Sequence, residues 1–115
     1  MDFEIDVQAR EGYHIVTPRG EVDLATSPRL KAALDRLVVA GHVRLVVDLR
    51  EVSFLDSTGL GALIGGRRRA HAFKGSFSLV FEDGSLSRLF QVTSLDKVFA
   101  IHASTEDAVT ATRGG

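Results

Sequence analysis

The fold of this chain is decided by residues 45–64, which read LVVDLREVSFLDSTGLGALI. Residues 45–49 are almost entirely apolar, a pattern typical of a central strand in a parallel sheet, where both faces of the strand are covered. A short loop is expected over residues 50–55. Residues 56–59 then open a helix, because the apolar residues that follow lie along one helical face: Leu60, Leu63 and Ile64. A buried strand that leads through a loop into a helix is typical of an α/β fold.

Three elements are predicted on the amino-terminal side of this stretch. Apolar and polar residues alternate over 3–7, which predicts a strand with one wet face, and a turn then leads into a second, antiparallel strand over 13–17. Pro18 is expected to end that strand, since proline cannot donate to a ladder. A helix follows, with Ser27 as its predicted N-cap and Gly41 as the left-handed residue that ends it.

On the carboxyl-terminal side, the helix that begins at residue 56 is expected to end at Gly75. The remaining predicted elements are a strand over 77–81, a short helix over 86–90, a strand over 98–101 and a helix over 104–109. The complete order is β-β-α-β-α-β-α-β-α. It predicts a single α/β domain over residues 1–115, with a mixed, mainly parallel, five-stranded sheet packed with about four helices. Residues 112–115 are expected to fray.

Composition and charge exclude several classes of function. Lys and Arg number 14 against 15 Asp and Glu, which argues against direct binding to nucleic acid or to a membrane surface. The sequence has no cysteine, so disulfides and thiolate chemistry are excluded. The apolar runs are only a few residues long, and the acidic start is unlike a signal peptide. A soluble cytoplasmic protein is therefore predicted. Four histidines show no metal-ligand spacing: His14, His42, His71 and His102.

One segment combines several features of a binding site: Asp56-Ser57-Thr58-Gly59-Leu60-Gly61. It follows the carboxyl end of a buried strand, the edge at which open α/β sheets bind ligands. The free N–H groups and the dipole of a helix start also favour an anion there, including a phosphate bonded to a side chain. The simpler interpretation is that Asp56 or Ser57 caps the helix and that the glycines allow close packing. Local chemistry alone favours this simpler interpretation.

The same segment lacks the patterns of common catalytic sites. A nucleophile elbow requires a glycine two residues before the serine, and Leu55 stands there instead. A P-loop requires Gly-Lys-Ser or Gly-Lys-Thr, which the sequence does not contain. We therefore predict a protein that is not an enzyme and that has no catalytic residues, no cofactor and no metal.

Four stretches of the chain together resemble the bacterial anti-sigma factor antagonists, which are stand-alone STAS domains. Residues 20–23 (GEVD) resemble the family's loop after the second strand, and residues 54–61 (FLDSTGLG) resemble its phosphorylation motif. Residues 87–90 and 95–99 resemble its third helix and the approach to its last strand. Each part is short, but their order and spacing over essentially the whole chain are specific.

The resemblance implies a phosphorylation-controlled binding switch in which Ser57 accepts the phosphate. In this family the kinase is the anti-sigma factor itself, an ATP-binding serine kinase. The unphosphorylated antagonist binds that kinase and releases the sigma factor, phosphorylation breaks the complex, and a metal-dependent serine phosphatase restores it. The residues that the resemblance assigns to partner binding are Asp23, Asp56, Ser57, Thr58, Gly59 and Leu60.

Two of these residues have a second interpretation. Asp23 fits a solvated loop carboxylate equally well, and as an exposed side chain its replacement is expected to leave the melting temperature nearly unchanged. Thr58 is expected to support the helix start rather than to accept phosphate. The phosphorylated residue implied by the resemblance remains Ser57.

The second helix departs from the family's usual pattern at Gly65-Gly66 and at Arg67-Arg68-Arg69. The arginines are interpreted as a solvated face, because successive side chains fan around a helix. Two other functions remain open. One is a STAS module of another assembly, such as a stress-signalling or lipid-transport complex, and the other is a nucleotide-binding protein that uses the helix start at Ser57.

Overall fold

A computed structural model describes residues 2–113 of the chain. Its elements in chain order are β1 (Glu4–Arg10), β2 (Tyr13–Val22), α1 (Ser27–Val39), β3 (Arg44–Asp48), β4 (Val52–Leu55), α2 (Ser57–Ala72), β5 (Ser76–Val80), α3 (Ser85–Val92), a 3-10 turn (Leu95–Lys97), β6 (Ala100–His102) and α4 (Thr105–Arg113). The strands form one mixed sheet in which only the β1–β2 pair is antiparallel. The predicted α/β class with a mainly parallel sheet and four helices is confirmed.

The sheet has six strands, whereas the sequence predicted five. The order is β1-β2-β3-β5-β6, and β4 pairs with β2 beside this path. β4 occupies part of the stretch that was expected to be a loop over 50–55. It pairs with only three residues of β2 and leaves Ser53 and Phe54 exposed. A strand this short and this exposed carries little apolar periodicity, which is why the sequence did not reveal it.

β2 is longer than predicted and runs through Pro18 to Val22. The prediction that Pro18 ends the strand is wrong, because β2 changes its neighbour at that position. Residues 14–16 of β2 pair with β3, and residues 20–22 pair with β4. Pro18 lies between these two ladders, where its missing N–H interrupts neither of them. The extension carries the end of β2 to the end of β4.

The helices cover the sheet unequally. Apolar residues of α1, α2 and α3 share one large core with β2, β3 and β5, and this core includes Leu34, Leu63 and Phe90. α4 covers the opposite face through a smaller cluster in which Ala108 and Val109 contact β2, β3 and β5. The last helix was predicted to stop at residue 109 but continues to residue 113. Its periodicity could not show this, because residues 110 and 111, which follow the buried Val109, are exposed. The frayed tail predicted over 112–115 therefore begins inside α4, and 114–115 lie outside the described residues.

The end of α1 matches its prediction, whereas its start does not. Gly41 has a φ of +89° and follows the helix, and the N–H of His42 donates to the carbonyl of Leu37 at 2.8 Å. This is the pattern of a glycine-terminated helix. The N-cap is Thr26 rather than Ser27, and no side chain caps the helix there. The Thr26 hydroxyl instead takes part in the turn that precedes α1.

The connection from α2 to β5 contains a close backbone approach. The helix was expected to end at Gly75 but ends at Ala72, and the left-handed residue that follows it is Lys74, with a φ of +63°. A Cβ atom on Gly75 would lie 1.9 Å from the carbonyl oxygen of Val43. Gly75 is therefore required by contact with the chain that enters β3. This contact fixes the end of α2 that lies opposite Ser57.

Candidate functional site

Asp56 is the N-cap of α2, which resolves the choice between Asp56 and Ser57 that the sequence left open. Its carboxylate accepts hydrogen bonds from the Thr58 hydroxyl at 2.5 Å, the Thr58 N–H at 2.9 Å and the Gly59 N–H at 3.1 Å. The hydrogen bond from the Thr58 hydroxyl, followed by that from the Gly59 N–H, lowers the pKa of Asp56 below its usual value. The cap is thus ionised at neutral pH. Thr58 supports the helix start, as expected.

Ser57 is the first residue of α2, and its side chain is exposed. Its hydroxyl makes no hydrogen bond to any other residue in the range 2–113. Because Asp56 has taken over the capping role, the Ser57 hydroxyl is not needed to hold the helix. It stands at the positive end of the helix dipole, where added negative charge is favourable.

Gly59 and Leu60 were predicted to bind a partner, but both residues are buried. A Cβ atom on Gly59 would lie 2.4 Å from Cδ1 of Leu55 and 2.8 Å from Cγ1 of Val22. Leu60 is 8% exposed and belongs to the main core. These two residues therefore do not offer side-chain surface to a partner. They pack the start of α2 against the ends of β2 and β4, and this packing positions Ser57.

Asp23 is not a solvated loop carboxylate, which was one of the two interpretations that the sequence left open. It is half-buried, and one carboxylate oxygen accepts hydrogen bonds from the N–H groups of Ala25 and Thr26 at 3.0 and 3.1 Å. The Thr26 hydroxyl accepts from the N–H of Asp23 at 2.9 Å and donates to the carbonyl of Glu21 at 2.7 Å. Short side chains that bond to nearby backbone in this way stabilise turns. Asp23 thus shapes the turn between β2 and α1.

Replacement of Asp23 should therefore lower stability. Asp23→Ala is expected to reduce the free energy of unfolding by about 1 kcal/mol, the typical loss when a capping side chain is removed. Asp23→Asn keeps an acceptor oxygen in the same place and is expected to lose less than half as much. Urea denaturation of the three proteins measures the difference. A midpoint for Asp23→Ala equal to that of the unaltered protein would restore the solvated-loop interpretation.

Two exposed apolar side chains lie on the segments that adjoin Ser57. Leu24, in the β2–α1 turn, is 76% exposed, and Phe54, in β4, is 49% exposed. The segments are joined by a hydrogen bond from the Asp56 N–H to the Val22 carbonyl at 3.2 Å. The exposure of Leu24 and Phe54 was not predicted from the sequence. The one sequence feature that could have indicated an exposed apolar side chain here is a leucine in the loop directly after Asp23.

The glycine pair in α2 has a packing role. A Cβ atom on Gly66 would lie 2.9 Å from Leu34 in α1 and 3.1 Å from Phe77 in β5, so this glycine lets α2 pack closely against both. Gly65 leaves room for the guanidinium of Arg69, which would lie 3.1 Å from a Cβ there. The pair therefore sets the distance between α1 and α2.

The sequence predicted that the three arginines of α2 form one solvated face. The structure shows that they do not. Arg68 is exposed, but Arg67 and Arg69 are half-buried. Arg69 forms an ion pair with Asp35 of α1 at 2.7 Å, and Lys31 pairs with the same carboxylate at 2.7 Å. Arg69 is thus used to hold α1 and α2 together.

An open groove of about 350 Å³ runs between α1 and α2 and begins beside Ser57. Its floor on α2 consists of small residues, and its walls carry two cations: the lining includes Ser27, Lys31, Thr58, Gly61, Gly65 and Arg69. Gly61 is exposed, and a Cβ atom there would meet nothing within 4 Å. A glycine in a helix interior costs about 1 kcal/mol relative to alanine, and no contact within the described chain accounts for this one.

Metal sites and membrane-spanning helices are two other classes of feature that bear on function. Among residues 2–113, no cluster of three or more His, Cys, Asp or Glu side chains is arranged to hold a metal ion. None of the helices within that range has the length and apolar character needed to cross a membrane.

The chain is similar to known proteins in sequence and in structure. A family model described as STAS domain matches residues 4–108. The anti-sigma-B factor antagonist of Listeria monocytogenes is 34% identical over 88% of this chain and 90% of its own length, and that of Bacillus subtilis is 34% identical over 95% and 99%. The crystal structure of an anti-sigma factor antagonist from Mycobacterium paratuberculosis superposes with a TM-score of 0.89 at 32% identity, over 97% of this chain and 95% of that one.

A more distant protein, SpoIIAA, shares the fold in two forms. Its unphosphorylated form has a TM-score of 0.75 to this chain and its phosphorylated form a TM-score of 0.72, each at 21% identity. The unphosphorylated structure covers 99% of this chain and 100% of its own, and the phosphorylated one covers 96% and 98%.

Proposed function

This chain belongs to the STAS domain family, and on that premise we propose that it is an anti-sigma factor antagonist controlled by phosphorylation of Ser57. In its unphosphorylated form it binds an anti-sigma factor that is also a serine kinase, and this binding releases a sigma factor. Phosphate on Ser57 ends the interaction, and a serine phosphatase removes it. The chain supplies the acceptor hydroxyl and no catalytic group, and it acts in the cytoplasm with the transcription machinery.

The observation that carries this proposal is the division of roles between Asp56 and Ser57. Asp56 caps α2 through three hydrogen bonds, so the exposed hydroxyl of Ser57 has no structural role within residues 2–113. A serine that only capped the helix would use its oxygen for the N–H groups that Asp56 already satisfies. The free hydroxyl is accessible to a kinase, and the helix dipole accommodates the charge that phosphorylation adds.

The surface around Ser57 has the composition of a protein contact. We define the Ser57 surface as Leu24, Phe54, Ser57 and Gly61, all of which are exposed. Protein interfaces contain apolar and aromatic anchors of the kind that Leu24 and Phe54 provide. Gly61 lies one helical turn after Ser57 on the same face of α2, and its missing side chain allows a partner to approach the helix backbone. This accounts for a glycine that costs helix stability without a packing reason inside the chain.

Mass spectrometry of the phosphorylated protein tests the proposal. Incubation with an anti-sigma factor kinase and ATP should add one phosphate, on Ser57, and Ser57→Ala should accept none. Ser57→Ala should still bind the kinase, because the hydroxyl is the acceptor and not an anchor of the interface. Thr58→Ala is the matched control and should be phosphorylated like the unaltered chain. Phosphate located on Thr58, or full incorporation into Ser57→Ala, would refute the assignment.

A further inference from the structure

A second pocket lies at the end of the sheet opposite Ser57. Ser57 follows the carboxyl ends of β2 and β4, whereas this pocket is formed where β2 and β3 begin. It has a volume of about 360 Å³. Its walls are the β1–β2 turn and the connection from α1 to β3: Arg10, Gly12, Tyr13, His14, Gly41, His42, Val43 and Arg44.

The charged and titratable side chains of this pocket are mainly basic. Two guanidinium groups, of Arg10 and Arg44, and two imidazoles, of His14 and His42, line it, together with the Tyr13 phenol. None of the described residues that line it carries a carboxylate. Arg10 donates to the neutral Gln8 side chain at 2.6 Å and to the Ala9 carbonyl at 3.3 Å, so these two hydrogen bonds leave its charge unneutralised.

The two imidazoles are stacked on one another. The ring centroids of His14 and His42 are 4.2 Å apart, and the ring planes are inclined by 30°. Partial burial and the proximity of His42 lower the pKa of His14 below its usual value. Protonation of either ring places a charge beside the other ring and beside the arginines. These positive charges repel one another. An anion bound in the pocket would offset that repulsion, because it would stabilise the protonated rings.

Two turns with defined backbone geometry flank the two imidazoles. Gly12 and Gly41 have φ values of +88° and +89° and shape the two turns that form the walls. The N–H of His42 is fixed by its hydrogen bond to the Leu37 carbonyl at 2.8 Å. Charged residues on the neighbouring segments are Arg36 at the end of α1, Lys74 after α2, and Glu11, which has contacts of its own.

We propose that this pocket is a binding site for a phosphate-type dianion, separate from the Ser57 surface. A metal cation is disfavoured there, since Arg10 and Arg44 repel it and only two imidazoles face the pocket. Guanidinium groups match the oxygens of phosphate, and protonated imidazoles add donors and charge. Because the site lies at the far end of the sheet, it can be occupied while the kinase contacts Ser57. This site does not depend on the phosphorylation of Ser57.

Sulfate is a suitable first probe, because it remains a dianion throughout the pH range in which histidine titrates. NMR titration with sulfate at pH 6 and pH 8 should give saturable shifts confined to residues 10–14 and 41–44. Binding that takes up one proton weakens about tenfold for each pH unit above the pKa of the group that takes up the proton. We therefore expect the dissociation constant to be at least about tenfold larger at pH 8 than at pH 6.

Matched variants identify the groups responsible. Arg44→Gln and His42→Gln change exposed side chains and should each weaken sulfate binding at least about fivefold, the effect of one charge-assisted contact. Arg88→Gln removes an equal charge from the exposed face of α3 and should leave binding unchanged. Equal affinity at pH 6 and pH 8, or equal losses in Arg44→Gln and Arg88→Gln, would overturn the proposal, as would shifts that do not saturate.

The source of the phosphate is resolved by a second pair of titrations. Inorganic phosphate and glycerol 3-phosphate present the same oxygens, but only the ester carries an organic group. Tighter binding of the ester assigns the site to an organic phosphate, and equal or weaker binding assigns it to free phosphate. Failure of sulfate and of both phosphate probes to bind at pH 6 would refute the site.

Discussion

Phosphorylation of Ser57 is expected to lower the affinity for the kinase by more than about a hundredfold. The phosphate brings about −1.5 to −2 charges to the centre of the Ser57 surface. A partner that covers this surface must strip water from that charge, and uncompensated burial of such a group costs several kcal/mol. A penalty of about 3 kcal/mol corresponds to the hundredfold loss. The apolar neighbours Leu24 and Phe54 offer no compensating charge.

The same phosphate should leave the fold unchanged. It meets the positive end of the α2 dipole, which favours it, and the ionised carboxylate of Asp56, which opposes it, so the net effect on stability is small. Amide NMR spectra of the two forms should differ only around residues 53–65, and calorimetry with the kinase should register the lost binding. Ser57→Asp carries one charge on a shorter side chain and should lose only part of the affinity. Shifts across the whole sheet, or a phosphorylated form that binds at full strength, would contradict this mechanism.

Gly59→Ala is expected to destabilise the protein by about 2–3 kcal/mol, the usual cost of overpacking a core. The added methyl group would lie 2.4 Å from Cδ1 of Leu55 and 2.8 Å from Cγ1 of Val22. Leu55 can move the end of its side chain, but Val22 is fully buried and its branched side chain is stiff. The start of α2 must therefore shift away from the sheet. Urea denaturation measures the loss, and an unchanged midpoint would show that this contact is not tight.

Gly61 provides the matched control two residues further along the same helix. Gly61→Ala meets no atom within 4 Å and should raise stability by up to about 1 kcal/mol, the difference in helix propensity. Gly61→Gln should likewise keep the fold but should weaken kinase binding, because its side chain projects from the Ser57 surface. Substitutions at Gly59 therefore test the effect of a glycine on stability, and substitutions at Gly61 test its effect on kinase binding.

Several site features could be predicted from the sequence because they depend on local chemistry. The Asp-Ser-Thr-Gly stretch directly after an apolar strand predicted a helix start with a cap, and the structure places Asp56 in that role. Other features could not be predicted, because they depend on segments that are distant in the chain. The turn hydrogen bonds of Asp23 appear local, yet the sequence does not reveal that the side chain faces inward. The exposure of Leu24 and Phe54 depends on where β2 ends relative to β4.

By itself, the sequence determined the α/β class, the position of α2 and the placement of Ser57 at its start, because apolar periodicity and capping residues act over a few neighbours. The tertiary structure decided which glycines are packing requirements and which one is not. Gly59, Gly66 and Gly75 are each tight against a segment far away in the chain, whereas Gly61 faces open space. The tertiary structure also brings His14 and His42, which are 28 positions apart in the sequence, together as a stacked pair in one basic pocket. Contacts between distant segments arise only when the sheet brings its strands into register, and no local pattern encodes them.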